Sequence, residues 1–187
     1  MKMSLTAKTS FQPLIWNNRH NDLQNVSGEF GAMVSETWTP ADCSAGMFCV
    51  KGDHLPHGGY KMTVAANGTG DIYICNPGDV QRGVIGTQLY AEGINTLGLG
   101  APAGRLATYT KAIPGETYAF GDGNFSTVMS DTNKYATITN GLLVGTNAAP
   151  AAGSGIYFEL DAALGIDKFT EGNTVPFNRY NVLCRNI

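Results

Sequence analysis

The sequence predicts a mainly β protein: an antiparallel β-sandwich or barrel-like domain that follows an extended N-terminal arm and contains little helix. Short apolar segments alternate with polar residues, which is the period of a half-buried strand. Turn residues recur about every 8–12 positions, as in sandwiches and barrels, and 24 of the 187 residues are glycine. No stretch of about 12 residues keeps the period of a helix.

Residues 1–28 form the predicted arm, which is polar and rich in amide side chains. It contains no apolar run long enough for a signal peptide or a membrane span, so we expect neither export nor a membrane. Tails of this kind often become ordered on a neighbouring subunit, although their apolar residues can equally pack on their own domain. The candidate assembly residues of the arm are Phe11, Leu14, Ile15 and Trp16.

Residues 29–187 form the predicted β domain, with a candidate internal boundary near 145–155, where small residues predominate. Asn-Gly is typical of two-residue hairpin turns. Asn67-Gly68 therefore predicts an antiparallel hairpin over 59–76, and Asn140-Gly141 predicts a second hairpin. The other predicted strands are Glu29–Trp38, Gly46–Val50, Val84–Tyr90, Arg105–Thr110, Glu116–Phe120, Ile156–Leu160 and Arg179–Ile187.

Low charge is the main feature of the composition. Charged residues make up 14% of the chain, against about 25% in typical soluble domains. The net charge is −3, and the 12 lysines and arginines form no basic run, so a nucleic-acid partner is not predicted. A neutral surface loses little on desolvation, which favours contact with another protein.

The strongest metal-site candidate is the pattern Cys43-x5-Cys49-x4-His54-x2-His57, because thiolate and imidazole are zinc ligands. Its cysteine spacing exceeds the usual gap of about two to four residues, and Cys49 lies in an apolar segment. Packed cysteines and loop histidines are therefore the preferred interpretation, and no metal or cofactor is predicted. The expectation for all four cysteines is a reduced, mostly buried thiol: Cys43, Cys49, Cys75 and Cys184.

The sequence predicts no enzyme and no catalytic residues. The oxygen-rich segment 122–126 lacks the glycine and the glutamate that complete a calcium loop, so it is interpreted as a turn. The glycines of 98–104 do not have the spacing of a phosphate loop. Glu159 and Asp161 would share one strand face, where carboxylates are usually solvated rather than catalytic.

The arm, the low charge and the Gly/Thr/Asn-rich segments 115–125 and 135–144 together resemble, in style, small phage head decoration (capsid cement) proteins. The resemblance covers most of residues 29–145. It implies a structural virion protein that is made in the host cytoplasm and bridges capsomers on the outer surface of an icosahedral capsid. Its implied partners are the major capsid protein and copies of itself, as a homotrimer. The alternative is a glycan- or receptor-binding fibre or adhesin module.

Overall fold

The computed structural model of the chain describes residues 25–76, 81–85, 88–92, 101, 103–169 and 177–187. It confirms the predicted mainly β class: one sheet forms a barrel, a second forms a half-barrel, and β6 and β7 make a separate hairpin. The described part contains no helix that could cross a membrane. Its strands are β1 (Asn25–Val34), β2 (Thr37–Pro40), β3 (Phe48–His54), β4 (Tyr60–Val64), β5 (Ile72–Cys75), β6 (Gln81–Ile85), β7 (Gln88–Glu92), β8 (Ala107–Lys111), β9 (Thr117–Gly121), β10 (Phe125–Thr127), β11 (Tyr135–Thr139), β12 (Leu142–Thr146), β13 (Ile156–Leu160), β14 (Ile166–Phe169) and β15 (Phe177–Asn186).

The first barrel contains β1, β4, β3, β5 and β8 in that order, and it closes because β8 also pairs with β1. The pair β1–β4 is parallel and the other four pairs are antiparallel. The sixth strand of this sheet, β2, pairs only with the distal part of β1.

The half-barrel runs in the order β9, β15, β13, β11, β12 and β10, with β14 paired to the first part of β15. Its two edge strands, β9 and β10, are joined by the single 3-10 turn Asp122–Asn124. The pair β10–β12 is parallel and the remaining pairs are antiparallel. Residues 145–155, the candidate boundary, lead from β12 to β13 inside this sheet, whereas the chain changes sheets between β8 and β9.

Two cores follow from the alternation of side chains along the strands. The interior of the first barrel is filled by one set of buried or half-buried residues: Val26, Phe30, Cys43, Cys49, Met62, Tyr73, Cys75 and Tyr109. The opposite faces of β3 and β5 carry Phe48, Ile72 and Ile74, which pack into the core of the half-barrel. The Phe48 ring centroid lies 5.4 Å from those of both Phe120 and Phe158. Both faces of β5, and of the first two residues of β3, are therefore covered.

Backbone contacts lock the half-barrel to the first barrel. The Phe48 N–H donates to the Gly141 carbonyl at 3.0 Å, and the Ile156 N–H donates to the Gly68 carbonyl at 2.7 Å. Glycine is required at 68 because a Cβ there would overlap the backbone of Ile156.

We expect Gly68→Ala to lower the free energy of unfolding by about 1–3 kcal/mol, the usual cost of overpacking. The added methyl group meets rigid backbone, so the two sheets must separate to accept it. Gly52→Ala is the matched control, because the nearest atom to a Cβ at 52 is 3.4 Å away. Urea titrations of both variants give the comparison, and equal stability would contradict the assigned contact.

The second predicted hairpin is confirmed and the first is wrong. Thr139 pairs with Leu142 around Asn140 (φ 48°) and Gly141 (φ 78°), the positive φ angles that a type I′ turn needs. The strands predicted within 59–76 exist as β4 and β5, but they do not pair with each other because β3 lies between them. Gly68 contacts the half-barrel there instead of closing a hairpin.

Two predicted single strands are hairpins. The segment predicted as one strand over Glu29–Trp38 turns back at Ser35 (φ 46°) and Glu36 (φ 66°), giving β1 and β2. β1 also begins at Asn25, so residues 25–28, assigned to the arm, pair with β8. The segment Val84–Tyr90 contributes to both β6 and β7.

Candidate functional site

The β1–β2 hairpin extends beyond the first barrel. Residues 25–28 of β1 pair with β8 and residues 28–30 pair with β4, but residues 31–34 pair only with β2. The tip carries Met33 and Val34, whose residues are 54% and 55% exposed. This hairpin tip therefore presents two adjacent apolar side chains on a strand that has no third partner within the described residues.

A buried carboxylate fixes the base of the hairpin. Glu29 is 4% exposed. Its Oε1 accepts a hydrogen bond from Trp38 Nε1 at 3.0 Å, and its Oε2 lies 3.2 Å from Nε2 of His57. Lys61 Nζ lies 5.8 Å from the Trp38 ring centroid, within the range of a cation–π contact. Since a buried carboxylate is costly without partners, the contact between Glu29 and Trp38 attaches β2 to the base of the hairpin.

A second feature is one end of the first barrel, which we call the charged mouth and define by Lys51, Tyr60, Asp71, Tyr73 and Lys111. Lys51 Nζ lies 4.5 Å from the Tyr60 ring centroid and 5.9 Å from that of Tyr73. Lys111 Nζ lies 2.7 Å from Asp71 Oδ1, and this salt bridge raises the pKa of Lys111. Lys51 has no carboxylate within salt-bridge distance among the described residues. The mouth therefore carries one uncompensated positive charge above two aromatic rings.

The third feature is the tyrosine face, which we define as the outer side of β11 and β13 and which carries Tyr135, Thr137, Tyr157 and Glu159. All four residues are half-buried. The ring centroids of Tyr135 and Tyr157 are 6.4 Å apart, and Glu159 Oε2 accepts from Arg185 Nε at 3.0 Å. Tyrosine is a residue type that is enriched at protein interfaces.

The four residues of the predicted zinc pattern lie in two different environments. Cys43 and Cys49 lie inside the first barrel with their Sγ atoms 3.9 Å apart. The His54 and Tyr60 ring centroids are 4.1 Å apart with the rings tilted by 36°, and His57 contacts Glu29. The interpretation as packed cysteines is therefore confirmed, and the interpretation as loop histidines is right for His57 but wrong for His54, which is the last residue of β3. No cluster of His, Cys, Asp or Glu suited to a metal ion occurs among the described residues.

All four cysteines are buried and free, as predicted. Burial raises the pKa of Cys184 to about 12, with a further contribution from Glu116. A contact with Cys43, followed by burial, raises the pKa of Cys75. Thiols that stay protonated at neutral pH are poor nucleophiles, so the side chains of Cys75 and Cys184 act as packing groups.

Within the oxygen-rich segment 122–126, residues 122–124 form a 3-10 turn, as interpreted from the sequence, and residues 125 and 126 begin β10. The carboxylate of Asp122 accepts hydrogen bonds from the Asn178 N–H at 2.9 Å and from the Tyr180 hydroxyl at 2.7 Å. Asn124 is buried and donates from Nδ2 to the Ala45 carbonyl at 2.9 Å. The Asp122 oxygens thus attach the turn to β15, and the Asn124 amide nitrogen attaches it to the segment that precedes β3.

The predicted assembly residues of the arm, Phe11, Leu14, Ile15 and Trp16, lie outside the described residues, so that interface stays a prediction.

Sequence reasoning missed the hairpin tip. In the sequence, the feature that indicates this hairpin is that Met33 and Trp38 lie at equal distances from Ser35-Glu36; the two residues form a cross-strand pair in the structure.

Comparison with known protein families, with characterised proteins and with solved structures gives no match to this chain.

Proposed function

We propose that this chain is a structural virion protein that decorates an icosahedral phage capsid and stabilises it by bridging capsomers. The observation that supports the proposal best is the β1–β2 hairpin, whose apolar tip extends past the barrel. An apolar projection of this kind suits insertion into a shallow groove of a partner, where burying each side chain contributes about 1.5–3 kcal/mol. The partner is the major capsid protein, and the bound position is the outer capsid surface.

Binding only to the assembled shell would stabilise that shell by mass action. The arm residues Phe11, Leu14, Ile15 and Trp16 belong to this proposal as a second contact. Because β1 begins at Asn25, an arm deletion should end at residue 24. A longer deletion would remove residues that pair with β8 and would test folding rather than binding.

We expect the double variant Met33→Asp, Val34→Asp to bind capsids at least about 100-fold more weakly, which corresponds to about 2.7 kcal/mol. Two charges at the tip must be desolvated in the groove, which removes the apolar contribution and adds a cost. The measurement is cosedimentation with shells of the source phage that were assembled without this protein.

Leu164→Asp is the matched control, because Leu164 is 53% exposed and lies between β13 and β14, away from the hairpin. It should bind like the wild type. Undiminished occupancy by the double variant, with circular dichroism showing that it is folded, would rule out the tip as the contact.

The alternative function, a glycan- or receptor-binding module, is favoured by one observation at the charged mouth. The His54 and Tyr60 rings lie there with centroids 4.1 Å apart, beside Lys51. Neighbouring aromatic rings beside a cation suit a saccharide that carries an acidic group. Saturable binding of the purified protein to an immobilised glycan, together with no binding to capsids, would favour this function over the first.

A further inference from the structure

The first barrel and the half-barrel repeat one strand arrangement. In the first barrel, the opening strand is β1: its first half pairs antiparallel with the last strand, β8, and its second half pairs parallel with the third strand, β4. In the half-barrel, β9 and β10 together correspond to β1: β9 pairs antiparallel with the last strand, β15, and β10 pairs parallel with the third strand, β12. The second strand (β3 or β11) then lies between the third and the fourth (β5 or β13), and the fourth pairs with the last.

The registers agree residue by residue. Cys49 pairs with Val64 and Tyr73, just as Ala136 pairs with Gly145 and Phe158. Cys49, Val64 and Tyr73 of the first barrel therefore correspond to Ala136, Gly145 and Phe158 of the half-barrel.

Correspondence also holds along the opening strands, apart from one insertion. Val26 pairs with Tyr109 and Phe30 with Met62, as Tyr118 pairs with Val182 and Phe125 with Leu143. The opening strand of the half-barrel has three extra residues between these pairs, and they are the 3-10 turn Asp122–Asn124.

The contact between the two sheets is formed by two surfaces, and this correspondence identifies a counterpart of each surface elsewhere on the chain. In the contact between the two sheets, Phe48, Ile72 and Ile74 on the outer side of β3 and β5 pack into the half-barrel core. The counterparts of these three residues are Tyr135, Tyr157 and Glu159, which belong to the tyrosine face.

The receiving end of the half-barrel has a counterpart as well. Ile138, Ile156 and Cys184 lie in the core that Phe48 enters. The corresponding residues in the first barrel are Lys51, Asp71 and Lys111, which belong to the charged mouth. The inserting face and the receiving end are thus apolar where they meet inside the chain, and their counterparts are more polar where the described residues leave them partly exposed.

We propose that the tyrosine face of one copy docks on the charged mouth of a second copy, in the arrangement by which the first barrel packs on the half-barrel. Two tyrosine rings and the Glu159 carboxylate would then meet Lys51, which has no salt bridge among the described residues. Permanent interfaces are more apolar and transient ones more polar, which accounts for the difference between the internal contact and this one. The proposal rests on the proposed function for its role, since such copies would join on the capsid surface.

A contact of this type is heterologous: the two partners contribute different surfaces. Repeating it closes a ring, such as the expected trimer, or extends a filament. A variant damaged on one surface keeps the other surface intact, and this asymmetry allows a test with protein alone, in the absence of capsids.

The experiment is sedimentation equilibrium of the full chain up to about 300 µM, where a contact with a Kd near 100 µM is measurable. The wild type is expected to associate, whereas Lys51→Glu and Tyr157→Asp should each associate at least about 10-fold more weakly, the effect of about 1.4 kcal/mol. An equimolar mixture of the two variants should form a dimer and no larger species. In that dimer, the intact tyrosine face of Lys51→Glu meets the intact mouth of Tyr157→Asp.

Lys168→Glu is the control, because Lys168 is exposed on β14, outside both surfaces. It should associate like the wild type. A monomeric wild type over the whole range would overturn the docking proposal, as would a mixture that behaves like its separate components. Capsid binding through the hairpin tip is measured independently, so either proposal can fail alone.

Discussion

Replacing Phe48 with alanine is expected to lower the free energy of unfolding by about 3–5 kcal/mol, the usual cost of deleting a buried phenylalanine ring. Phe48 is fully buried, and its ring lies against both Phe120 and Phe158. It belongs to the first barrel by strand pairing and to the half-barrel by packing. The cavity would therefore open in the contact that joins the two sheets.

Urea unfolding followed by circular dichroism measures this loss. Phe30→Ala is the comparison, because Phe30 is only half-buried and packs within the first barrel alone. A smaller loss of unfolding free energy is expected for Phe30→Ala, since part of that ring is already exposed to water and the space it leaves is open to solvent. A loss for Phe48→Ala no larger than that for Phe30→Ala would show that the contact between the sheets contributes little.

Most strands were predictable because alternation is a local property of the sequence. The pairing partner is not local, as the two Asn-Gly sites show. At Asn140-Gly141 the strands follow the turn directly and pair in register. At Asn67-Gly68 the flanking strands are separated by β3. Burial on both faces, visible as the continuous apolar run of β5, indicates an inner strand but does not say which neighbours it has.

The repeated strand arrangement leaves no repeat in the sequence. Corresponding inward positions carry Cys49 and Ala136, or Tyr109 and Val182. A core requires apolar residues of suitable total volume rather than particular identities, so burial is preserved while the residue types differ. The connections differ as well, since β6 and β7 lie between the fourth and last strands of the first barrel only.

The candidate site was less predictable than the fold for a related reason. The turn of the projecting hairpin is Ser35-Glu36, and both residues have positive φ, which is uncommon for these residue types. No turn signal therefore interrupted the predicted strand, and Met33 and Val34 were assigned to its middle. The proposed pairing of the tyrosine face with the charged mouth depends on a strand register that only the folded chain reveals.

Tyr109→Phe is expected to raise the free energy of unfolding by about 1–3 kcal/mol, the cost of burying a polar group that has no partner. Tyr109 is fully buried in the first barrel, and among the described residues its hydroxyl has no nitrogen or oxygen atom as a hydrogen-bond partner, only nearby thiols. Burial, followed by the nearby thiols of Cys75 and Cys43, raises the pKa of Tyr109 far above its usual value. The hydroxyl is therefore neutral, and phenylalanine fills the same space without the unpaired group.

Tyr118→Phe is the matched control and should have the opposite sign. Tyr118 is also fully buried, but its hydroxyl accepts from the Ile113 N–H at 2.9 Å and donates to the Lys111 carbonyl at 3.4 Å. Removing it leaves a buried backbone N–H unsatisfied, which costs about 1–3 kcal/mol. Thermal and urea unfolding of both variants separates burial from pairing as the cause, because the two tyrosines differ chiefly in whether the hydroxyl has partners. Equal destabilisation by both substitutions would mean that the Tyr109 hydroxyl contributes to stability through the surrounding sulfur atoms.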